Sequence, residues 1–331
     1  MSETEVTRQG VHHQRPGREA VPGAKGGGRR RRGERLMVPK AEFGSYYGRP
    51  ILKQPTWKAL DIAGYLFLGG LAGASSLLAA GAQATGRPRL ARNCKVGALA
   101  GISLSTAALI HDLGRPERFA NMLRVMKPTS PMSVGSWLLA AYGPAAGVAA
   151  VTEVTGLFPR IGRAATGWAA LTGPGVVTYT GVLIADTAVP VWHHAYREMP
   201  FLFAGSAAAA AGGLGLLTSP LAENAPARGT AAFGAVLDLT ASTVMRGRLG
   251  FLAEPYEHGK ARRLMRASGI LTAAGAATGV LLGRRSRLAA AAAGGALIAG
   301  SALTRFAVFE AGRASAADPR YVVADQRGQS T

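Results

Sequence analysis

The sequence predicts an all-α integral membrane protein: eight transmembrane helices, read as two four-helix bundles, behind a disordered basic N-terminal tail. Three observations carry this. Of 331 residues 48% are hydrophobic, yet the formal net charge is +20, and the two properties are segregated along the chain. Eight stretches approach or exceed the roughly 20 apolar residues that cross a hydrocarbon core of about 30 Å as a helix. Those stretches are rich in Gly and Ala, with small residues four apart (Gly69 and Gly73, Gly97 and Gly101), a spacing that lets helix backbones approach closely in lipid. A soluble helical protein shows a polar face on every helix instead.

The tail comes first, over residues 1–45. About a dozen Lys and Arg precede Lys58, among them Arg29, Arg30, Arg31 and Arg32, in a segment rich in Gly and Pro and poor in aromatics. Such a composition buries too little apolar surface to fold. A basic tail can bind nucleic acid, but one that precedes apolar spans orients a membrane protein, so no nucleic-acid partner is expected. No short apolar core with a small-residue cleavage site follows the basic run, so it is not a secretory signal.

The membrane domain is expected over 46–312, with spans at about 58–85, 94–111, 132–155, 164–187, 199–219, 228–245, 265–283 and 287–309, and a C-terminal tail over 313–331. Within the first five spans, 62–86, 96–110, 128–152, 164–185 and 199–222 hold no formal charge. The sixth is interrupted once, by Asp238, and 267–283 and 288–304 close the series. The loops are short and basic. The longest, 246–266, carries Glu254-Pro255-Tyr256-Glu257-His258. Lys and Arg in the internal loops balance between the two sides, so the tail tips the positive-inside rule toward a cytoplasmic N-terminus. An even number of spans puts the C-terminus there too, in a multi-pass protein of the cell membrane surrounded by lipid.

Ionisable residues within or bordering a span are functional candidates by default. Asp61 begins the first span, Asp112 follows the second, Asp186 ends the fourth, and Arg305 and Glu310 end the eighth. Alternating helix direction puts them all at one mouth, on the side of the N-terminus. Glu153 falls on the opposite side and Asp238 nearer mid-depth; the two could extend a proton path across the membrane, but one mid-depth carboxylate is not a path, and a bond from Asp238 to a neighbouring Ser or Thr is the favoured reading. Tyr179 and Asp186 are seven residues apart, so two turns bring them onto one face. There a phenol and a carboxylate could hydrogen-bond and protonate a quinone oxygen; the alternative is a Tyr packed between helices and an Asp at the headgroups. His193 and His194 fall in an interfacial loop. Cys94 is the only cysteine, which excludes an internal disulfide and a self-contained iron–sulfur cluster. The histidines sit at helix ends rather than paired in facing helices, so no haem is expected.

One loop carries a recognisable pattern: His111-Asp112-Leu113-Gly114-Arg115-Pro116-Glu117-Arg118-Phe119, then Met122-Leu123-Arg124-Val125 and Lys127-Pro128-Thr129-Ser130-Pro131-Met132-Ser133. Tyr47-Gly48-Arg49-Pro50, Gly69 to Gly73, Tyr179-Thr180-Gly181, Ala185-Asp186-Thr187 and Arg305-Phe306 through Tyr321 accompany it. Together they resemble the NrfD/polysulphide reductase membrane-subunit family over nearly everything after residue 45. The resemblance implies an eight-helix anchor that binds menaquinone or another quinone. It implies as partners a four-cluster ferredoxin-like iron–sulfur subunit and, beyond it, a molybdopterin-type catalytic subunit.

Carried onto this sequence, the resemblance makes Asp112, Arg115, Tyr179 and Asp186 the quinone-binding candidates, with His111, Asp112 and Asp186 handling protons. Quinol oxidation releases two protons, and Asp112 and His111 at a helix end can exchange them with water. Arg115 would hold developing negative charge or keep Asp112 ionised, while Arg118 and Arg124 would meet the docking subunit or lipid phosphate. The same loop also reads as a plain N-cap and ion-pair turn. A transporter and a non-redox membrane scaffold are the competing functions, though the broken helices of a transporter are not evident.

Overall fold

In the computed structural model the described residues are Val6, Thr7, Gly10 and Val11, then 51–326 apart from Gln54, Thr56 and Pro116. Val6–Thr7 and Gly10–Val11 pair as a minimal antiparallel ladder. The expected disorder of the tail otherwise falls outside the described residues.

Twelve α-helices follow. They are α1 (Ala59–Ala84), α2 (Pro88–Leu113), α3 (Glu117–Met122), α4 (Pro131–Thr155), α5 (Pro159–Ala185) and α6 (Pro190–His194). Then come α7 (Met199–Thr218), α8 (Ala225–Leu249), α9 (Glu254–Glu257), α10 (Gly259–Leu281), α11 (Arg287–Ala317) and α12 (Pro319–Gln326), with a 3-10 turn at Gly250–Ala253. Eight of these helices are 20 to 31 residues long. Seven are both long and apolar enough to cross a membrane; α8 is the long helix left out. Its sequence holds Arg228, Asp238, Arg246 and Arg248, which dilute its apolar run.

Local chemistry sets the helix starts. Proline opens α2, α4 and α5, where its fixed φ suits a helix and its missing N–H has no partner to lose. Ser130 caps α4 and Ser286 caps α11, each side chain accepting a backbone N–H three residues on. Gly114 and Gly156 end α2 and α4 at φ +72° and +73°, the left-handed turn that glycine adopts without a Cβ clash. Several helices run beyond their apolar windows. α2 already starts at Pro88, α5 at Pro159, α10 at Gly259, and α11 continues to Ala317, so Arg and Lys decorate helical turns instead of loops.

The packing is close backbone to backbone. A Cβ on Gly73 would lie 2.6 Å from the Gly173 carbonyl oxygen, and one on Gly212 would lie 2.5 Å from the Ala231 nitrogen. Gly205 and Gly234 seal the same α7–α8 seam against the backbones of Asp238 and Ala209. Helices α1, α2, α4 and α5 pack on one another, as do α7, α8, α10 and α11, and α1 and α7 join the two sets. Large apolar side chains such as Leu104, Leu171, Phe201, Phe233 and Ile270 point outward. Hydroxyl pairs such as Ser206 with Ser301 (2.8 Å) lie inside. This is the inverse of a water-soluble bundle.

Side-chain bonds tie the ends. At the face where α1 ends, Glu223 accepts the Arg89 and Leu90 backbone N–H groups at 2.8 and 3.0 Å, filling the orphan donors of α2. Asn224 donates to the Gly283 carbonyl at 2.8 Å. At the face where α1 begins, Trp192 of α6 is fully buried, donates to the Val308 carbonyl at 2.8 Å and stacks on Trp57. The segment holding His193 and His194, expected as an interfacial loop, therefore begins inside the core. Arg248 grips the Glu198 carboxylate and the His194 carbonyl beside it.

Two expectations are corrected. Arg305 does not lie at the mouth: α11 runs twelve residues past it, about 18 Å of helix, and its side chain is fully buried. Asp238 is buried too, but among the described residues it makes no bond to a neighbouring Ser or Thr and its Oδ1 has no hydrogen-bond partner; it faces Arg305 instead.

Candidate functional site

The face where α1 begins gathers a chain of polar groups along α1. Asp61 sits in the first turn of that helix, and its Oδ2 lies 2.9 Å from His111 Nδ1. The imidazole is 65% exposed and the carboxylate 13%, so the pair leads from water into the bundle. Asp112, half-buried, accepts a hydrogen bond from the Lys58 backbone and feels the charges of Asp61, Lys58 and His111. The end of α2 thus meets the start of α1 through two adjacent residues.

One turn deeper, Tyr65 occupies the same face of α1 as Asp61, four residues on. Its hydroxyl lies 2.8 Å from the Tyr179 hydroxyl of α5, and both rings are buried. Gly135 of α4 makes room for Tyr179, since a Cβ there would fall inside the ring. Ser105 of α2 donates to the Tyr65 carbonyl at 3.0 Å. Four helices therefore fix one pair of phenols. A pair of hydroxyls sharing one hydrogen bond keeps a second hydrogen and free lone pairs for another oxygen.

The structure brings His111 and Asp112 together with Asp61, and Tyr179 together with Tyr65. It does not bring in the other two candidates by side-chain bonds. Arg115 is exposed in the turn after Gly114, where its carbonyl accepts the Arg118 N–H at 3.1 Å. Asp186 is the exposed C-cap of α5, because that helix stops at Ala185 and the chain turns away. Among the described residues no ion pair reaches either side chain. The rest of the loop serves architecture: Ser133 Oγ donates to the Val125 carbonyl at 3.0 Å and accepts the Lys127 N–H at 2.9 Å, folding the segment back onto the start of α4.

Sequence reasoning passed over Tyr65, an aromatic in an apolar run. The available signal was its place four residues after Asp61. It also passed over Lys95 at the opposite face, which is buried and bonds Gln83 at 2.5 Å and Glu153 at 2.7 Å. Among the described residues no three His, Cys, Asp or Glu side chains group as a metal site.

A family model described as polysulphide reductase, NrfD, matches residues 52–232. The match covers more than half of the chain and includes every group in the Asp61–His111 and Tyr65–Tyr179 pairs. A search of curated proteins finds no match.

Proposed function

The chain belongs to the polysulphide reductase, NrfD, family and is a multi-pass membrane subunit of an oxidoreductase complex; on that premise we propose that it oxidises or reduces menaquinone at the α1 face. Electrons pass between the quinone pool and a four-cluster ferredoxin-like iron–sulfur subunit, which serves a molybdopterin-type catalytic subunit. With one cysteine, this chain cannot hold such clusters itself.

The observation that carries the reading is the stacking of two polar pairs along one face of α1. Quinol oxidation releases two electrons and two protons. The Tyr65–Tyr179 hydroxyls can hydrogen-bond a quinol oxygen in a site shielded from water. Asp61 and His111, one turn nearer the surface, can accept its protons and hand them to solvent. Asp112 beside them adds a second acceptor, and Arg115 and Asp186 at the same helix ends supply charge to the rim. In the reverse direction the same groups deliver protons to the reduced quinone.

Helix α8 is proposed to cross the membrane with the other seven, since its backbone is sealed against α7 along its length and its one mid-helix carboxylate faces Arg305. That gives eight spans in two four-helix bundles, with both termini on the α1 face. We place that face in the cytoplasm. A C-terminal reporter active only on one side tests the orientation.

The function is tested on the assembled complex. Tyr65→Phe and Asp61→Asn should each lower quinol oxidation tenfold or more while the iron–sulfur content of the purified complex stays the same. Unchanged turnover in both variants would remove the site. A chain that purifies without redox partners and moves solute in vesicles would replace the function with transport.

A further inference from the structure

A cavity of about 570 Å³ opens between α8 and α10 at the α1 face. Its lining lies wholly beyond residue 232, where the family match stops, and shares no residue with the two pairs on α1. Its walls are graded. On α8 the lining passes from Arg246 through Thr243 to Leu239; on α10 it passes from Arg262 through Arg266 to Ile270. Each series steps by about one turn, so both helices go from guanidinium at the helix end to apolar side chain nearer the bundle's middle.

The flank is open to the outside. Ile270 is 69% exposed, and Val236 and Val244 beside the cleft on α8 are exposed as well. In a membrane protein these positions face lipid. At the mouth, three guanidinium groups meet one carboxylate, Glu257, and among the described residues none of the three forms an ion pair. Among the described residues their one side-chain hydrogen bond runs from Arg246 Nε to the Ser242 carbonyl, at 3.3 Å. Tyr256, 2% exposed, also lines the cleft, and among the described residues its hydroxyl has no hydrogen-bond partner. An uncommitted buried donor and a surplus of positive charge, at the depth where helices leave the hydrocarbon, are suited to a phosphate.

We propose that this cleft holds an anionic phospholipid, its phosphate among Arg246, Arg262, Arg266 and the Tyr256 hydroxyl, and an acyl chain along Leu239 and Ile270. The deeper carboxylate, Asp238, does not repel it as a bare charge, because Arg305 faces it. The proposal rests on the membrane-spanning reading of the chain and not on quinone chemistry, so either can fail alone.

The test uses the full chain, delipidated in neutral detergent and titrated with dioleoyl phosphatidylglycerol, dioleoyl phosphatidylcholine or inorganic phosphate. Bound lipid is counted by native mass spectrometry and the unfolding temperature is followed in parallel. Phosphatidylglycerol should bind and raise the unfolding temperature. Arg262→Gln with Arg266→Gln should weaken its binding on the order of thirtyfold. Arg284→Gln with Arg285→Gln, at the opposite face, should leave it unchanged. Arg262→Lys with Arg266→Lys, which keeps charge and bulk, should retain most binding even where the Gln pair folds poorly, and Tyr256→Phe should weaken it. Equal binding by the Gln pair and the unaltered chain overturns the proposal. So does phosphatidylcholine binding as tightly, or inorganic phosphate alone giving the full shift, which would make the ligand a soluble anion.

Discussion

Arg305 lies with its guanidinium 3.8 Å over the ring of Phe203 and donates from Nη2 to the same residue's carbonyl at 2.8 Å. Among the described residues its Nε and Nη1 have no hydrogen-bond partner, and the nearby buried counter-charge is Asp238. Removing one of two buried charges strands the other, at a cost of about 3–5 kcal/mol, whereas replacing both with apolar groups is often milder. Asp238→Leu and Arg305→Met should each lower the thermal stability of the purified chain strongly, and the double variant should be more stable than either. Additive losses would show that the two residues act separately.

Gly135 should be as sensitive as the tyrosine it faces. Gly135→Ala puts a methyl group into the Tyr179 ring, and such overpacking costs about 1–3 kcal/mol. The ring must shift, so the Tyr65–Tyr179 bond breaks. Quinol oxidation should fall as far as in Tyr179→Phe, while Gly143→Ala, with open space around its Cα, should be silent. Full activity in Gly135→Ala would separate the phenol pair from turnover.

At the opposite face, Glu153→Gln removes the carboxylate from a Lys95 that is 4% exposed. Gln83 remains as a neutral acceptor, and Glu153 is itself partly solvated, so the expected loss is about 1–3 kcal/mol. Lys95→Met in the same background should recover part of it. A melting curve that does not move in Glu153→Gln would show that Gln83 alone holds the ammonium.

Ser133 is expected to govern the loop and not the bundle. Ser133→Ala removes the bond to Val125 and the acceptor for Lys127, so trypsin should cut after Arg124 several-fold faster, with the helical content unchanged. Ser130→Ala, which loses the α4 cap, should cost about 1 kcal/mol. Equal digestion rates would place the loop's order elsewhere.

The long helices were legible because uncharged windows of this length leave few alternatives. Their ends were less so: Arg89, Arg92 and Lys95 read as loop by charge yet lie on helical turns. The mouth was readable as a set, since counting helix direction puts Asp61 and Asp112 at one face. The bonds within it were not, because His111 reaches Asp61 only where two helix ends meet, and sequence spacing does not fix that meeting. Asp186 shows the reverse failure. Its seven-residue spacing from Tyr179 predicts a common face only while the helix lasts, and α5 ends one residue too soon. Arg305 was misplaced by its charge, which reads as a boundary unless its partner on another helix is known.

The α7–α8 seam bears on how the protein is made. Helix α8, with a carboxylate at its centre, is among the described residues the one long helix not apolar enough to cross a membrane, so it has little tendency to enter lipid by itself. Its connection to α7 is short, and the glycines at 205, 212 and 234 let the two backbones lie together before any other helix arrives. The insertion machinery therefore has reason to release them as one hairpin, with Asp238 waiting for Arg305 to emerge some sixty-seven residues later in synthesis. Until then the growing chain carries an unpaired carboxyl group inside the membrane, and α11 is the helix that brings its partner.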